Sequence, residues 1–123
     1  NFIYSLMEKI RNNKQVDLYN ANRKFNNILD IDDLTLFINL LCNQPCDRGS
    51  DILLLGNTEC VKLKEVVSHI KNLYHSTSVV CSVETDQKRY FTLDVGKAME
   101  YGYQSKEIYV IIDGLYELRE RGY

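Results

Sequence analysis

The chain has no run of about eighteen apolar residues, the minimum for a membrane-crossing helix. Its opening Asn1-Phe2-Ile3-Tyr4-Ser5 also lacks the basic, apolar and small-residue order of a secretory signal. Charge of one sign is missing as well: fifteen Lys and Arg stand against seventeen Asp and Glu, a net charge of -2. That balance excludes the broad positive field of a dedicated nucleic-acid binder or of a polybasic membrane surface. The expected setting is intracellular, cytoplasmic or nuclear, with no membrane partner. A second paired cysteine spacing is absent too. Cys42 and Cys46 form a lone C-x3-C, and Cys60, Cys81, His69 and His75 add no matching pair, so neither a closed zinc site nor a disulfide scaffold is expected. The cysteines read as reduced thiols. No catalytic triad is visible, and Cys60 has no identifiable partner base.

What is present is enough apolar material for one core. At 123 residues there is no room for two ordinary domains, so residues 1–123 are expected to form a single domain, read here as a piece of a longer polypeptide. The stretch around Asn43-Gln44-Pro45-Cys46-Asp47-Arg48-Gly49-Ser50 divides two hydrophobic patterns. Before it, Phe2, Ile3, Leu6, Met7 and Ile10, and again Leu34, Phe37, Ile38 and Leu41 behind Asp30 and Asp32, recur at helical spacing. Residues 1–45 are therefore expected to be a helical lead-in. After it, Ile52-Leu53-Leu54-Leu55, Ser78-Val79-Val80-Cys81-Ser82-Val83 and Ile108-Tyr109-Val110-Ile111-Ile112 read as strands, with a helix marked by Val66, Val67, Ile70, Leu73 and Tyr74 and another over Val95 to Tyr101. Tyr90-Phe91-Thr92-Leu93 could instead pair with Val79–Val83 as a hairpin. Runs that are apolar throughout suit strands covered on both faces. The predicted class is α/β: a short parallel sheet of about three strands flanked by helices.

Two segments carry chemistry. Gly56-Asn57-Thr58-Glu59-Cys60-Val61-Lys62-Leu63 resembles a phosphate-binding loop, keeping the first Gly and the Lys at the right spacing but losing the second Gly to Val61 and the magnesium-binding hydroxyl to Leu63. Ile108–Leu118, with Asp113-Gly114-Leu115-Tyr116-Glu117-Leu118, resembles a Walker B segment of the AAA+, RecA-like and STAND families. Over Asp51 to Tyr123 the chain thus resembles a degenerate P-loop NTPase-like domain. The resemblance implies a nucleotide site at Gly56, Lys62 and Asp113 that would take ATP or GTP with magnesium. The losses argue for no cofactor: Val61 crowds the phosphate approach, Leu63 offers magnesium no oxygen, and Glu59 opposes an anion.

The expected function is accordingly a non-catalytic assembly or protein-interaction module in a larger complex, DNA- or chromatin-associated by fold-level analogy, with nucleic acid reached through the complex. Nine tyrosines support an interface, with Tyr101, Tyr103, Tyr116 and Tyr123 as its candidates. Two other readings compete. One is a weak magnesium-dependent nucleotide binder or NTPase using Lys62 and Asp113. The other is a mostly α tandem winged-helix module binding nucleic acid or protein, in which Asp17–Leu29 and Glu107–Leu118 are helices, the latter supported by apolar residues at 108, 111, 112, 115 and 118.

Overall fold

The computed structural model describes residues 2–45, 49–86 and 91–122. Helix α1 (Phe2–Arg11) forms as its spacing predicts and buries Ile3, Leu6, Met7 and Ile10. Strand β1 (Val16–Tyr19) follows, with Val16 and Leu18 buried and Asp17 and Tyr19 exposed. It pairs in parallel with β4 (Val80–Val83), Val16 opposite Val80 through Tyr19 opposite Val83. The return path between them runs through β2 (Lys24–Phe25), α2 (Ile31–Cys42), β3 (Val61–Lys62) and α3 (Leu63–Leu73). β2 and β3 pair antiparallel, Lys24 opposite Lys62 and Phe25 opposite Val61. Two helices close the chain, α4 (Gly96–Glu100) and α5 (Ile108–Glu120).

The architecture is α/β, a short parallel sheet flanked by helices, as the sequence predicts. The strand inventory differs. Among the described residues the parallel sheet has two strands, and one of them, β1, comes from the stretch expected to be a helical lead-in. The same pairing overturns a helix over Asp17–Leu29, and with it the mostly α alternative. The expected strand Ile108–Ile112 is the start of α5. Its β-branched residues favour a strand locally, but Ile108, Ile111 and Ile112 share one helical stripe that is buried with α1, β1 and α3 in the main core. Tertiary burial, worth about 1.5–3 kcal/mol per large apolar side chain, outweighs the propensity difference of less than about 1 kcal/mol per residue. Ile52–Leu55 is neither helix nor paired strand, and Phe91–Leu93 is not a strand; Tyr90 lies outside the described residues.

A smaller cluster of Phe37, Ala98 and Tyr103 joins α2 to the segment around α4, with Leu41, Leu53, Leu55 and Tyr101 packed against it. Asp30 starts α2 by accepting the Asp32 and Asp33 amides at 2.8 and 3.4 Å. Asp33 itself is buried and accepts the Lys106 amide at 2.8 Å, tying the entry of α2 to the entry of α5.

Candidate functional site

A cleft of about 820 Å³ lies between α5 and the stretch running from β2 into α2. Ile111, Ile112 and Leu115 of α5 line it, together with Phe2, Phe25 and Phe91. Arg23 and Lys24 bring positive charge to one wall, and Asp30 and Asp32 lie at the end where α2 begins. Both carboxylates are engaged by the Lys106 ammonium, at 3.1 Å from Asp30 and 3.4 Å from Asp32. Partial burial works against ionisation of Asp30, but the Lys106 hydrogen bond and the amides of Asp32 and Asp33 outweigh it and hold its carboxyl below the usual value. Lys106 is raised in turn, chiefly by its hydrogen bond to Asp30. The single Lys106 cation thus offsets part of the negative charge at the acidic end of the cleft.

One buried side chain braces this wall. Asn26 is 2% exposed. Its amide nitrogen donates to the carbonyls of Asn57 and Leu93, at 3.0 and 2.8 Å, and its side-chain oxygen accepts the Leu93 amide at 2.8 Å. Its backbone carbonyl takes the Asn57 amide at 2.7 Å. Three segments distant in sequence are thus fixed together directly beside Phe25. Sequence reasoning missed this cleft because its residues are drawn from four stretches with no shared motif, and an Asn in a polar run gives no signal of burial.

The residues expected to form a nucleotide site stand on different elements. Gly56 is buried, and a Cβ there would lie 2.7 Å from the Asn26 carbonyl oxygen and 2.9 Å from Leu93. Its glycine identity is accounted for by packing within the chain. Lys62 ends β3 and caps α3, its amide donating to Glu65 Oε2 at 3.3 Å. Asp113 sits within α5 rather than at a strand end, and its Oδ1 meets His69 Nε2 at 2.6 Å. His69 is seven residues beyond Lys62, roughly 10 Å of helix rise. Its ring also packs against Tyr109, whose hydroxyl is pushed up by burial and then by Glu65. Among the described residues no group of three His, Cys, Asp or Glu side chains is placed to hold a metal ion, and Cys42, Cys60 and Cys81 are free thiols.

The tyrosine candidates have partners inside the chain. Tyr103 is 2% exposed, stands edge-on to Phe37 and donates its hydroxyl to the Gly56 carbonyl at 2.6 Å. Burial, followed by Asp33 and Asp30, raises its hydroxyl above the ordinary value. Tyr101 is half-buried and donates to Asp51 Oδ2 at 2.9 Å, while the same Asp51 is bound by Lys97. Tyr116 is half-buried edge-on to Tyr74, and Tyr123 lies outside the described residues. No helix among the described residues is long and apolar enough to cross a membrane.

No protein-family model and no curated protein matches the chain. Solved structures do match. The UDP-glucose 4-epimerase of Thermotoga maritima, determined with UDP-glucose, superposes with a TM-score of 0.76 at 12% identity, over 98% of this chain and 40% of its own. The UDP-glucuronic acid 4-epimerase of Bacillus cereus, determined with UDP-glucuronic acid and NAD, gives 0.77 at 11% identity over 98% and 40%. MoeE5 in complex with UDP-glucose and NAD gives 0.76 at 20% identity over 98% and 42%. The chain therefore shares its fold with about two fifths of the length of these nucleotide-sugar enzymes.

Proposed function

We propose that this chain is a nucleotide-sugar-binding portion of a larger assembly, with UDP-glucose or a close relative as its ligand and a protein partner supplying whatever chemistry follows. The observation that carries the reading is the cleft between β2 and α5. It offers aromatic side chains in Phe25 and Phe91 for a base, cations in Arg23 and Lys24 for a diphosphate, and carboxylates at its end whose charge is partly offset by Lys106. Its volume is within the range of small-molecule sites. The solved structures of the same fold, whose bound molecules are UDP-sugars and NAD, support the choice of ligand class.

A second reading keeps ATP or GTP with magnesium at Lys62. It is favoured by one feature, the position of Lys62 at the amino end of α3, where the helix dipole favours anions.

Titration calorimetry separates the two. UDP-glucose should bind the chain without magnesium, and Arg23→Ala should weaken it about tenfold or more, the loss of one charge-assisted contact. Binding confined to magnesium-ATP and abolished by Lys62→Ala would instead establish the second reading. Absence of heat with either nucleotide would refute both.

A further inference from the structure

Phe91 lines the cleft with its side chain 67% exposed, on a stretch of chain that belongs to neither a helix nor a strand. An aromatic ring on irregular backbone is ordinarily a poor recognition surface, because ordering it costs free energy at the moment of binding. Here the backbone is fixed two residues away. Leu93 is gripped on both sides: its amide donates to Asn26 Oδ1 and its carbonyl accepts from Asn26 Nδ2, each at 2.8 Å. Among the described residues, Phe91, Thr92 and Leu93 make no other hydrogen bond. The Asn26 carboxamide thus pairs with Leu93 as the peptide groups of a neighbouring strand would.

Asn26 can serve as an anchor because it is itself held. It is buried, its backbone carbonyl accepts the Asn57 amide at 2.7 Å, and its Nδ2 also reaches the Asn57 carbonyl at 3.0 Å. Asn57 is fully buried in turn and donates its side-chain amide to the Lys106 carbonyl at 2.7 Å. Both N–H donors of Asn26 are consumed by these backbone carbonyls, which leaves none to offer a ligand. Its sequence neighbours Phe25 and Asn27 line the cleft. One buried carboxamide therefore fixes the backbone next to Phe25 and, through Leu93, the backbone that carries Phe91.

We infer that Asn26 is a positioning residue for the base-binding part of the cleft, holding Phe91 so that a nucleobase stacks on its ring without first ordering the loop. The inference rests on the nucleotide-sugar reading of the cleft and adds to it a residue that touches no ligand. Stacking of a base on an aromatic side chain is worth about tenfold or more in affinity. Loss of the anchor should forfeit that gain even with Phe91 still present.

Titration with UDP-glucose across a four-member cycle provides the test: the parent, Asn26→Asp, Phe91→Ala and the double variant. The aspartate keeps the size and the acceptor of Asn26 but turns an oxygen toward the Leu93 and Asn57 carbonyls in place of the amide donor. Each single substitution should weaken binding about tenfold, and the double variant should bind no more weakly than the weaker single one, because Asn26 acts through Phe91. Independent losses that multiply to about a hundredfold would overturn the inference. So would an Asn26→Asp protein that unfolds at lower temperature yet binds UDP-glucose as the parent does. Two measurements need no change at Asn26. The chain has no tryptophan, so Phe91→Trp places a single fluorophore at an exposed position, and bound UDP-glucose should quench its emission. Binding without quenching would contradict the stacking. In the ligand-free parent the Leu93 amide should exchange at least about tenfold more slowly than an open amide, and exchange at the unprotected rate would show that the anchor does not hold. A parent that binds no UDP-glucose removes the cleft reading and this inference with it, whereas a parent that binds it with independent losses removes only the role of Asn26.

Discussion

The Tyr103 hydroxyl donates to the Gly56 carbonyl at 2.6 Å, joining the end of the apolar 52–55 segment to the small core beneath α2. Tyr103→Phe would leave that buried carbonyl without its donor while preserving the ring contact with Phe37. We expect a loss of about 1–2 kcal/mol in urea-unfolding free energy with an unchanged denaturant slope. A neutral result would show that the carbonyl is satisfied by solvent.

Gly56→Ala tests whether that glycine serves packing or phosphate. The added carbon would press on the backbone carbonyl of Asn26, which cannot swing aside, and on a terminal methyl of Leu93. Overpacking of this kind costs about 1–3 kcal/mol. Thermal unfolding should show it with or without magnesium-ATP; a variant of normal stability that loses magnesium-ATP binding would return Gly56 to a phosphate role.

Asp30 carries the pH dependence. Its folded pKa is depressed, so the stability it contributes is present above the unfolded value of about 3.9 and is lost as pH falls through the lower folded value. Unfolding midpoints measured from pH 6 to pH 2 should therefore decline below about pH 4, and less steeply in Asp30→Asn, which keeps the helix cap without the titrating charge. Asp30→Ala should cost about 1 kcal/mol at pH 7 through loss of the cap.

The His69–Asp113 pair joins α3 to α5 at the surface, with side chains 29% and 47% exposed. Asp113→Asn should change stability by less than about 1 kcal/mol, as exposed ion pairs do, and leave UDP-glucose binding untouched. A large loss of ligand affinity would place Asp113 in a site after all.

The fold class was legible in the alternation of apolar runs with amphipathic stretches, and α1, α2, α3 and β4 follow from spacing that the structure reproduces. Two apolar runs misled for different reasons. Ile108–Ile112 satisfies both a strand pattern and a helical stripe, and only its neighbours in the core decide between them. Ile52–Leu55 reads as a strand because it is apolar at all four positions, yet among the described residues it joins no sheet. β1 was hidden by brevity: Val-Asp-Leu-Tyr gives two turns of alternation and no more. In the spacing from Gly56 to Lys62, the glycine is closely packed against Asn26 and the lysine caps a helix. The cleft was illegible because its residues converge only in three dimensions, from Phe2, from Arg23 to Asp32, from Phe91 and from α5.

The central claim is that the β2–α5 cleft holds a nucleotide sugar, and mapping amide chemical shifts during a UDP-glucose titration tests it most directly. Perturbations should concentrate at Arg23, Lys24, Phe25 and Asn27 and along Ile111 to Leu115. Shifts centred instead on Gly56 and on Lys62 to Glu65, or no saturable shifts, would contradict it.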